Sequence, residues 1–401
     1  MSLSIAIYTL GCKVNQCDAE ALIALLNERG YNAFHTREFE QPADVYVINT
    51  CTVTHVSDKK SRQMVSRARK LNPNAFVAVC GCMTKTSEVT EYAFDARSPD
   101  DFLLELNKIT PANKNIEQKK AKTRAFIKIQ DGCERFCSYC IVPYARGAVK
   151  SRPVAEIVSQ ARDLIRTGTL EIVLTGIQIA SYGHDTENSL PYLIKEIAAL
   201  DGLGRLRLSS IDPWAVSGEF LDAVSRPAVC EHFHLSLQSG CDTTLKKMNR
   251  RYSAADYARA VNALRKIHPN VTLTTDVIVG FPGESEADFL QSCDFVREMK
   301  FAKAHVFEFS PRKGTPAAEF GGQVEHKIKA ERGRAMRGIS DELQAEFLQS
   351  QVGKTLSVLF EKENAGHSRN YCEVRAVGSK NTIKEVKIIG FEQNYLKGNG
   401  E

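Results

Sequence analysis

Nowhere in this sequence does an apolar run approach the roughly 20 residues that a membrane-spanning helix needs, so no membrane-spanning helix is expected. Its first ten residues, Met-Ser-Leu-Ser-Ile-Ala-Ile-Tyr-Thr-Leu, lack a basic leader region and run into a Gly-Cys turn. They read as a first strand and not as a secretory signal. Charge of one sign is also missing: 53 Lys and Arg against 48 Asp and Glu give +5, which permits a nucleic-acid partner without demanding one. There is a single Trp. A cytoplasmic location, where thiols stay reduced, is the expectation that follows. Its 12 Cys are then better read as ligands or catalysts than as disulfides.

What is present is concentrated in one string. Cys133, Cys137 and Cys140 stand in Asp-Gly-Cys-Glu-Arg-Phe-Cys-Ser-Tyr-Cys, a Cys-x3-Cys-x2-Cys spacing. At the cysteine frequency of this chain such a triplet arises by chance about 0.01 times. Three thiols on one short loop can ligate three irons of a cubane and leave the fourth iron without a protein ligand. A closed zinc site would need a fourth Cys or His close by, and the nearest flanking His is His184.

At 401 residues the chain is long enough for two or three domains. From residue 4 to about 110, short apolar runs alternate with helical stretches, which predicts a parallel α/β domain over 1–110. Cys12, Cys51 and Cys82 each fall just after one of those runs. Loops at the carboxyl ends of parallel strands converge, so a shared site is open to them, although any one of them alone is more often a small buried residue than a ligand. A basic linker spans 111–123. From 124 to 345 six strand–helix units follow, fewer than a closed barrel of eight, so an incomplete (β/α)6 barrel is expected, with the Cys133 loop after its first strand. Residues 350–401 change to period-2 alternation with Gly and Asn turns, the pattern of a small antiparallel β barrel.

The strings Gly-Cys-Lys-Val-Asn-Gln-Cys-Asp-Ala-Glu, Asn-Thr-Cys-Thr-Val-Thr and Cys-Gly-Cys-Met, followed by the Cys133 motif, resemble the radical S-adenosylmethionine (SAM) methylthiotransferases. Ser210 to Pro213, His234 to Tyr252, Thr275 to Glu284 and the stretch from Gly314 resemble more narrowly the MtaB class, which acts on threonylcarbamoyl-adenosine beside the anticodon of tRNA. The likeness covers nearly the whole chain, and the last unit is similar to the RNA-binding TRAM domain. It implies two [4Fe–4S] clusters, an auxiliary one on Cys12, Cys51 and Cys82 and a catalytic one on Cys133, Cys137 and Cys140. It also implies SAM as cofactor, an external one-electron donor such as flavodoxin or ferredoxin, and tRNA as partner. The segment between Met83 and Lys122 departs from the family by being short and polar, which puts the end of the first domain in question.

An aromatic C–H offers neither an acidic proton nor a leaving group, so C–S bond formation at adenine calls for a radical, which one-electron reduction of SAM supplies. Around the cluster loop, Tyr139, Gly176, Ser236 and Gln238 are expected to bind SAM, Gly176 by letting backbone approach. Arg135 and Arg146 are candidates to pair with a substrate carboxylate. Basic residues of the stretch Lys59 to Lys70, of Lys246 to Arg251 and of the last unit, with Tyr371 and Phe391 as stacking rings, are the expected RNA surface. The alternatives are a methylthiotransferase for isopentenyl-adenosine tRNA or for a ribosomal protein aspartate, and a non-catalytic iron–sulfur electron carrier that binds RNA.

Overall fold

The computed structural model describes residues 3–53, 55–87, 89–109 and 122–399. The expected linker therefore lies outside the described residues, save for its last two positions. The chain forms two compact units, one of residues 1–120, 131–135 and 140–148, the other of 121–130, 136–139 and 149–401.

The first unit contains β1 (Ser4–Thr9), α1 (Lys13–Glu28), β2 (Asn32–Thr36), β3 (Val45–Thr50), α2 (His55–Leu71), β4 (Phe76–Gly81), α3 (Met83–Thr86), β5 (Tyr92–Ala93) and α4 (Asp100–Ile109). Its five strands are parallel in the order β2-β1-β3-β4-β5. Alternation sets the two faces: Ile5, Ile7, Val45 and Val47 join the core with Ala19, Leu22 and Leu26 of α1. Ala6, Tyr8, Tyr46 and Ile48 meet Met64, Val65 and Ala68 of α2 on the other side. Covered on both faces, β3 is buried at all six positions, as a central parallel strand should be. The short polar segment after Met83 still supplies a fifth strand. It is two residues long, and Phe94 just beyond it stacks on Phe102 of α4 at 4.2 Å.

The chain continues through β6 (Arg124–Asp131), α5 (Val142–Arg146), β7 (Lys150–Ser151), α6 (Val154–Arg166), β8 (Glu171–Gly176), α7 (Leu190–Ala198), β9 (Arg205–Leu208), α8 (Gly218–Val224), β10 (His232–His234), α9 (Asp242–Lys247), α10 (Ala254–Ile267), β11 (Thr272–Val279), α11 (Glu286–Met299), β12 (Lys303–Glu308) and α12 (His326–Gln349). Within the second unit, the sheets β7-β6-β8-β9 and β10-β11-β12 are joined by parallel bridges from Leu206 to Val229 and from Ile211 to Leu235. Six parallel strands in sequence, with helices between them, make the incomplete barrel that the pattern predicts. Ile127, Ile172, Leu206, Phe233 and Leu273 point from the strands into the helical layer, which leaves Arg124, Glu171, Arg207, His232 and Thr274 at the intervening positions facing the interior.

The last unit is a closed five-stranded barrel of β13 (Thr355–Lys362), β14 (Ala365–Ser368), β15 (Glu373–Arg375), β16 (Thr382–Glu392) and β17 (Tyr395–Asn399). It is antiparallel except where β15 runs parallel to β17. This small barrel is keyed into the amino-terminal end of the larger one. Glu171, fully buried, lies 2.7 Å from Arg124 and 2.9 Å from Arg207, and Arg205 donates to the carbonyls of His367 and Ser357 at 2.9 and 2.7 Å. Tyr371 stacks between His232 and His367 at 4.7 and 4.9 Å, with the Arg207 guanidinium 4.5 Å from its ring. The expectation that Tyr371 is an RNA-stacking ring is thereby corrected: the two imidazoles and the guanidinium take up the ring faces that a base would need. Among the described residues no helix is long and apolar enough to cross a membrane.

Candidate functional site

Cys12, Cys51 and Cys82 follow β1, β3 and β4, which are neighbours in the first sheet. The strands end level, with Thr9 opposite Asn49 and Thr50 opposite Gly81, so the three thiols emerge at one edge. Local backbone enforces the approach. Gly11 has φ +103°, and a Cβ there would stand 3.0 Å from the Cys51 sulfur and 2.9 Å from Asn15 Nδ2; at Gly81, φ +88°, a Cβ would reach 2.4 Å from the Thr50 carbonyl. Asn15 then ties the edge together: its Nδ2 donates to the Leu10 and Thr50 carbonyls at 2.8 and 2.9 Å, and Asn49 donates to its backbone at 2.7 Å.

Burial pushes the Cys51 thiol up, and the nearby Cys12 adds to this. Burial likewise raises Cys82, with Cys51 and Cys12 acting in the same direction and the Arg146 guanidinium, hydrogen-bonded to its sulfur, acting against them. Cys51 and Cys82 therefore share the influence of Cys12, and Cys82 also faces the Arg146 guanidinium. Arg146 also donates to Asn15 Oδ1, to Asp18 at 2.9 Å and to Asp131 at 3.0 Å. With its side chain 5% exposed and those partners around it, it presents no open face to a substrate carboxylate, in contrast to the expectation from sequence.

Among the described residues no three Cys, His, Asp or Glu side chains are grouped as ligands of one metal ion. A cubane asks for something different, because each thiolate holds its own iron and the sulfurs stand farther apart than ligands of a single ion. Three thiols at one sheet edge are the donor set such a cluster takes.

The second cysteine set lies in the loop after β6. Gly132, φ +74°, turns the chain so tightly that a Cβ would fall 1.8 Å from the Ala148 carbonyl, and the Cys133 amide donates to the Gly147 carbonyl at 2.9 Å. Further on, Phe136 adopts φ +47° and its carbonyl accepts from Asn249 Nδ2 at 2.9 Å. Ser138 is bound through its amide to the Met248 carbonyl and through its hydroxyl to that of Lys247. The Cys137 sulfur accepts from Arg250 Nη1 at 3.4 Å. Tyr139 packs edge-on against Phe281 at 6.5 Å. All twelve cysteines are unbridged.

Arg250 departs from the expectation that set it, with Lys246 to Arg251, on an RNA-facing surface. Its side chain is 7% exposed and bound to Asp212 at 2.5 Å, to the Ser236 carbonyl at 3.2 Å and to Tyr252 Oη at 2.8 Å. No local signal marks it, other than the turn at Asn249, φ +57°. Of the expected cofactor residues, Gly176 ends β8 where a Cβ would stand 2.9 Å from Gln130 Oε1. Ser236 and Gln238 follow β10, and Gln238 holds φ +69° while 9% exposed. A non-glycine kept in the left-handed region is the kind of strain that clusters at functional sites. On β11, Asp276 pairs with His234 at 3.1 Å. Arg135 is half-buried in the cluster loop.

Fold and site define a radical SAM enzyme. The Radical SAM superfamily profile matches residues 127–296, and the profile described as Uncharacterized protein family UPF0004 matches residues 4–104. A radical S-adenosylmethionine methyltransferase, TsrM from Kitasatospora setae, shares the fold with a TM-score of 0.59 over 79% of this chain and 77% of that one, at 16% identity. The chain is 36% identical to the threonylcarbamoyladenosine tRNA methylthiotransferase MtaB of Bacillus subtilis over 99% of its own length and 96% of that protein's. It is 34% identical to the MtaB of Aquifex aeolicus, over 96% and 100%, and 36% identical to the tRNA-2-methylthio-N(6)-dimethylallyladenosine synthase of Alkaliphilus oremlandii, over 88% and 81%. The chain belongs to the radical SAM methylthiotransferase family, enzymes that work with a [4Fe–4S] cluster and SAM.

Proposed function

We propose that this protein transfers a methylthio group to carbon-2 of threonylcarbamoyl-adenosine next to the anticodon of tRNA, using two [4Fe–4S] clusters. The observation that carries the second cluster is the level ending of β1, β3 and β4, which brings Cys12, Cys51 and Cys82 to one edge. Near-complete coverage of relatives that carry the MtaB name supports the substrate. The clusters and SAM would supply the radical and the sulfur. The chain's own part is to hold them: Cys133, Cys137 and Cys140 as ligands of the SAM-binding cluster, Arg250 against the Cys137 sulfur, and Tyr139, Gly176, Ser236 and Gln238 around the cofactor. Arg135 remains the candidate for the substrate carboxylate. Residues 1–110, 124–345 and 350–401 are assigned as the auxiliary-cluster, radical SAM and TRAM-like domains, at work in the cytoplasm with a flavodoxin- or ferredoxin-type donor.

The test is anaerobic turnover on two matched tRNAs, one threonylcarbamoylated and one isopentenylated, read by nucleoside mass spectrometry. Preference for the threonylcarbamoyl tRNA is expected. The opposite preference transfers the protein to the dimethylallyl-adenosine enzymes, and absence of 5′-deoxyadenosine would leave only the electron-carrier alternative.

A further inference from the structure

Two connections at the carboxyl-terminal face of the larger barrel, one after β8 and one after β9, enclose a cavity of about 320 Å³. That lies at the low end of small-ligand clefts, about 300–1,000 Å³. Its walls include Trp214, His184, Glu187 and Glu219. The two rings lie 5.6 Å apart, tilted by 48°.

The cavity is built and not incidental. Gly183, φ +88°, closes the loop so sharply that a Cβ would fall 1.7 Å from the Asn188 carbonyl. The same loop is pinned by Gly183 N to Ser151 Oγ at 2.9 Å, by Ser151 N to Asp185 at 2.9 Å and by Tyr182 Oη to the Arg152 carbonyl at 2.8 Å. On the opposite wall Trp214 Nε1 donates to Asp212 Oδ2 at 3.2 Å, and that oxygen also accepts from Gln178 Nε2 at 2.7 Å. The other oxygen of Asp212 holds Arg250, which donates to the Cys137 sulfur. Three hydrogen bonds thus lead from the indole to a cluster thiol.

We infer that this cavity receives an unpaired nucleobase of the substrate RNA, adjacent to the base that is modified. A pre-oriented indole is a stacking platform for a flat heteroaromatic ring. The exposed carboxylates of Glu187 and Glu219 repel a phosphate but accept from an exocyclic amine, as carboxylates do from cytosine N4. The occupant is therefore a base that carries an amino group, and the solvent-open rim suits one splayed from a loop. The inference rests on the tRNA reading and adds a second contact to it. The adenine of SAM has the same chemistry and is the competing source.

Trp214 is the sole tryptophan, so emission from the reconstituted enzyme reports on this cavity alone. Titration with a synthetic anticodon stem–loop bearing the threonylcarbamoyl group should change that emission, saturating at the RNA Kd found by an independent binding assay. Replacing each loop base beside the target in turn by an abasic site should, at one position, weaken binding roughly 5- to 150-fold, the range of one base–aromatic stack. W214L should weaken the intact RNA by a similar factor and lose the abasic effect, while W214F restores most of the affinity. RNA that binds without altering the emission, or a W214L enzyme with undiminished RNA affinity, would overturn the inference and leave the tRNA reading standing. A full emission response to SAM alone would assign the cavity to the cofactor and overturn it too. Failure of every tRNA stem–loop to bind the wild type would overturn both.

Discussion

Replacing Arg146 by Met tests whether this cation belongs to the protein framework or to the substrate. The guanidinium is buried against Asp18 and Asp131, whose side chains are 6% and 10% exposed. Burial alone would lower its proton affinity, yet the Asp131 carboxylate, the Cys82 sulfur and Asp18 outweigh this and hold it charged. Met fills much of the same volume but leaves the Asp18 and Asp131 carboxylates, which share Arg146 Nη1, without their cation beside the Cys82 thiol. Breaking a buried pair by removing one partner costs about 3–5 kcal/mol. At roughly 3–4 °C per kcal/mol for a unit of this size, the melting temperature should fall by about 10–20 °C. High salt should not restore it, since buried pairs are screened little. Loss of the cation on the Cys82 sulfur should also weaken retention of the auxiliary cluster, so iron per chain should fall toward half. R146K keeps the charge with one donor direction fewer and should recover part of both losses. Calorimetry and iron analysis of anaerobically reconstituted protein decide the matter. An R146M protein with unchanged melting and full iron, but a raised KM for threonylcarbamoylated tRNA, would refute the framework role and return Arg146 to the substrate.

Three further outcomes are expected. Changing Cys133, Cys137 and Cys140 together to Ala should abolish 5′-deoxyadenosine formation and leave about half the iron, whereas the triple change at Cys12, Cys51 and Cys82 should abolish methylthiolation and also leave about half; four irons per wild-type chain would contradict the pair of sites. R250M removes a charged donor from the Cys137 sulfur, and since hydrogen bonds to cluster sulfurs help set the potential, an EPR-monitored redox titration should give a more negative midpoint; an unchanged midpoint contradicts the contact. Burial would raise Glu171, but Arg207, Arg124 and Arg205 prevail and hold it at about 2. A depressed carboxylate stabilises the fold above its ordinary value of about 4.3, and this contribution, on the order of 3 kcal/mol, disappears as pH falls toward 2. Urea midpoints measured from pH 6 to pH 2.5 should therefore fall more steeply for wild type than for E171Q, and parallel acid limbs would contradict it.

The cysteines were legible because their chemistry is local. A Cys-x3-Cys-x2-Cys loop is complete within one window, and the positions of Cys12, Cys51 and Cys82 after successive apolar runs already suggested one sheet edge. What could not be read was which charged groups turn inward. Asp18 meets Arg146 across 128 positions of sequence, and Arg250 meets Cys137 across 113. No periodicity encodes such a pairing, because the cost of burying each ion is offset only by its remote partner. A window containing Lys246, Lys247, Arg250 and Arg251 therefore reads as a solvated face, although the chain turn at Asn249 sends one of the four toward the cluster loop.

In the last unit, Tyr371 and Arg369 were hidden from a sequence reading for the same physical cause, whereas the small β barrel itself is found as expected. Aromatic and basic residues on a small β barrel fit RNA as well as they fit a domain joint, and composition does not distinguish the two. The structure does so through Glu171, which sits fully buried among Arg124, Arg205 and Arg207 at the amino-terminal end of the barrel strands, the end that serves stability in such barrels while the carboxyl end serves chemistry. Arg369 is taken up there as well, donating to the Pro227 and Val229 carbonyls at 2.6 and 2.7 Å. A chain cut near Ser350 would thus strip Tyr371 and the carbonyl acceptors from two buried arginines, and weaker tRNA binding by it would not separate recognition from folding. Charge reversal at exposed Lys380, whose side chain takes no part in that joint's hydrogen bonds, isolates the electrostatic term: a lost phosphate contact should reduce the salt slope of tRNA binding by about 1, with the melting temperature unchanged.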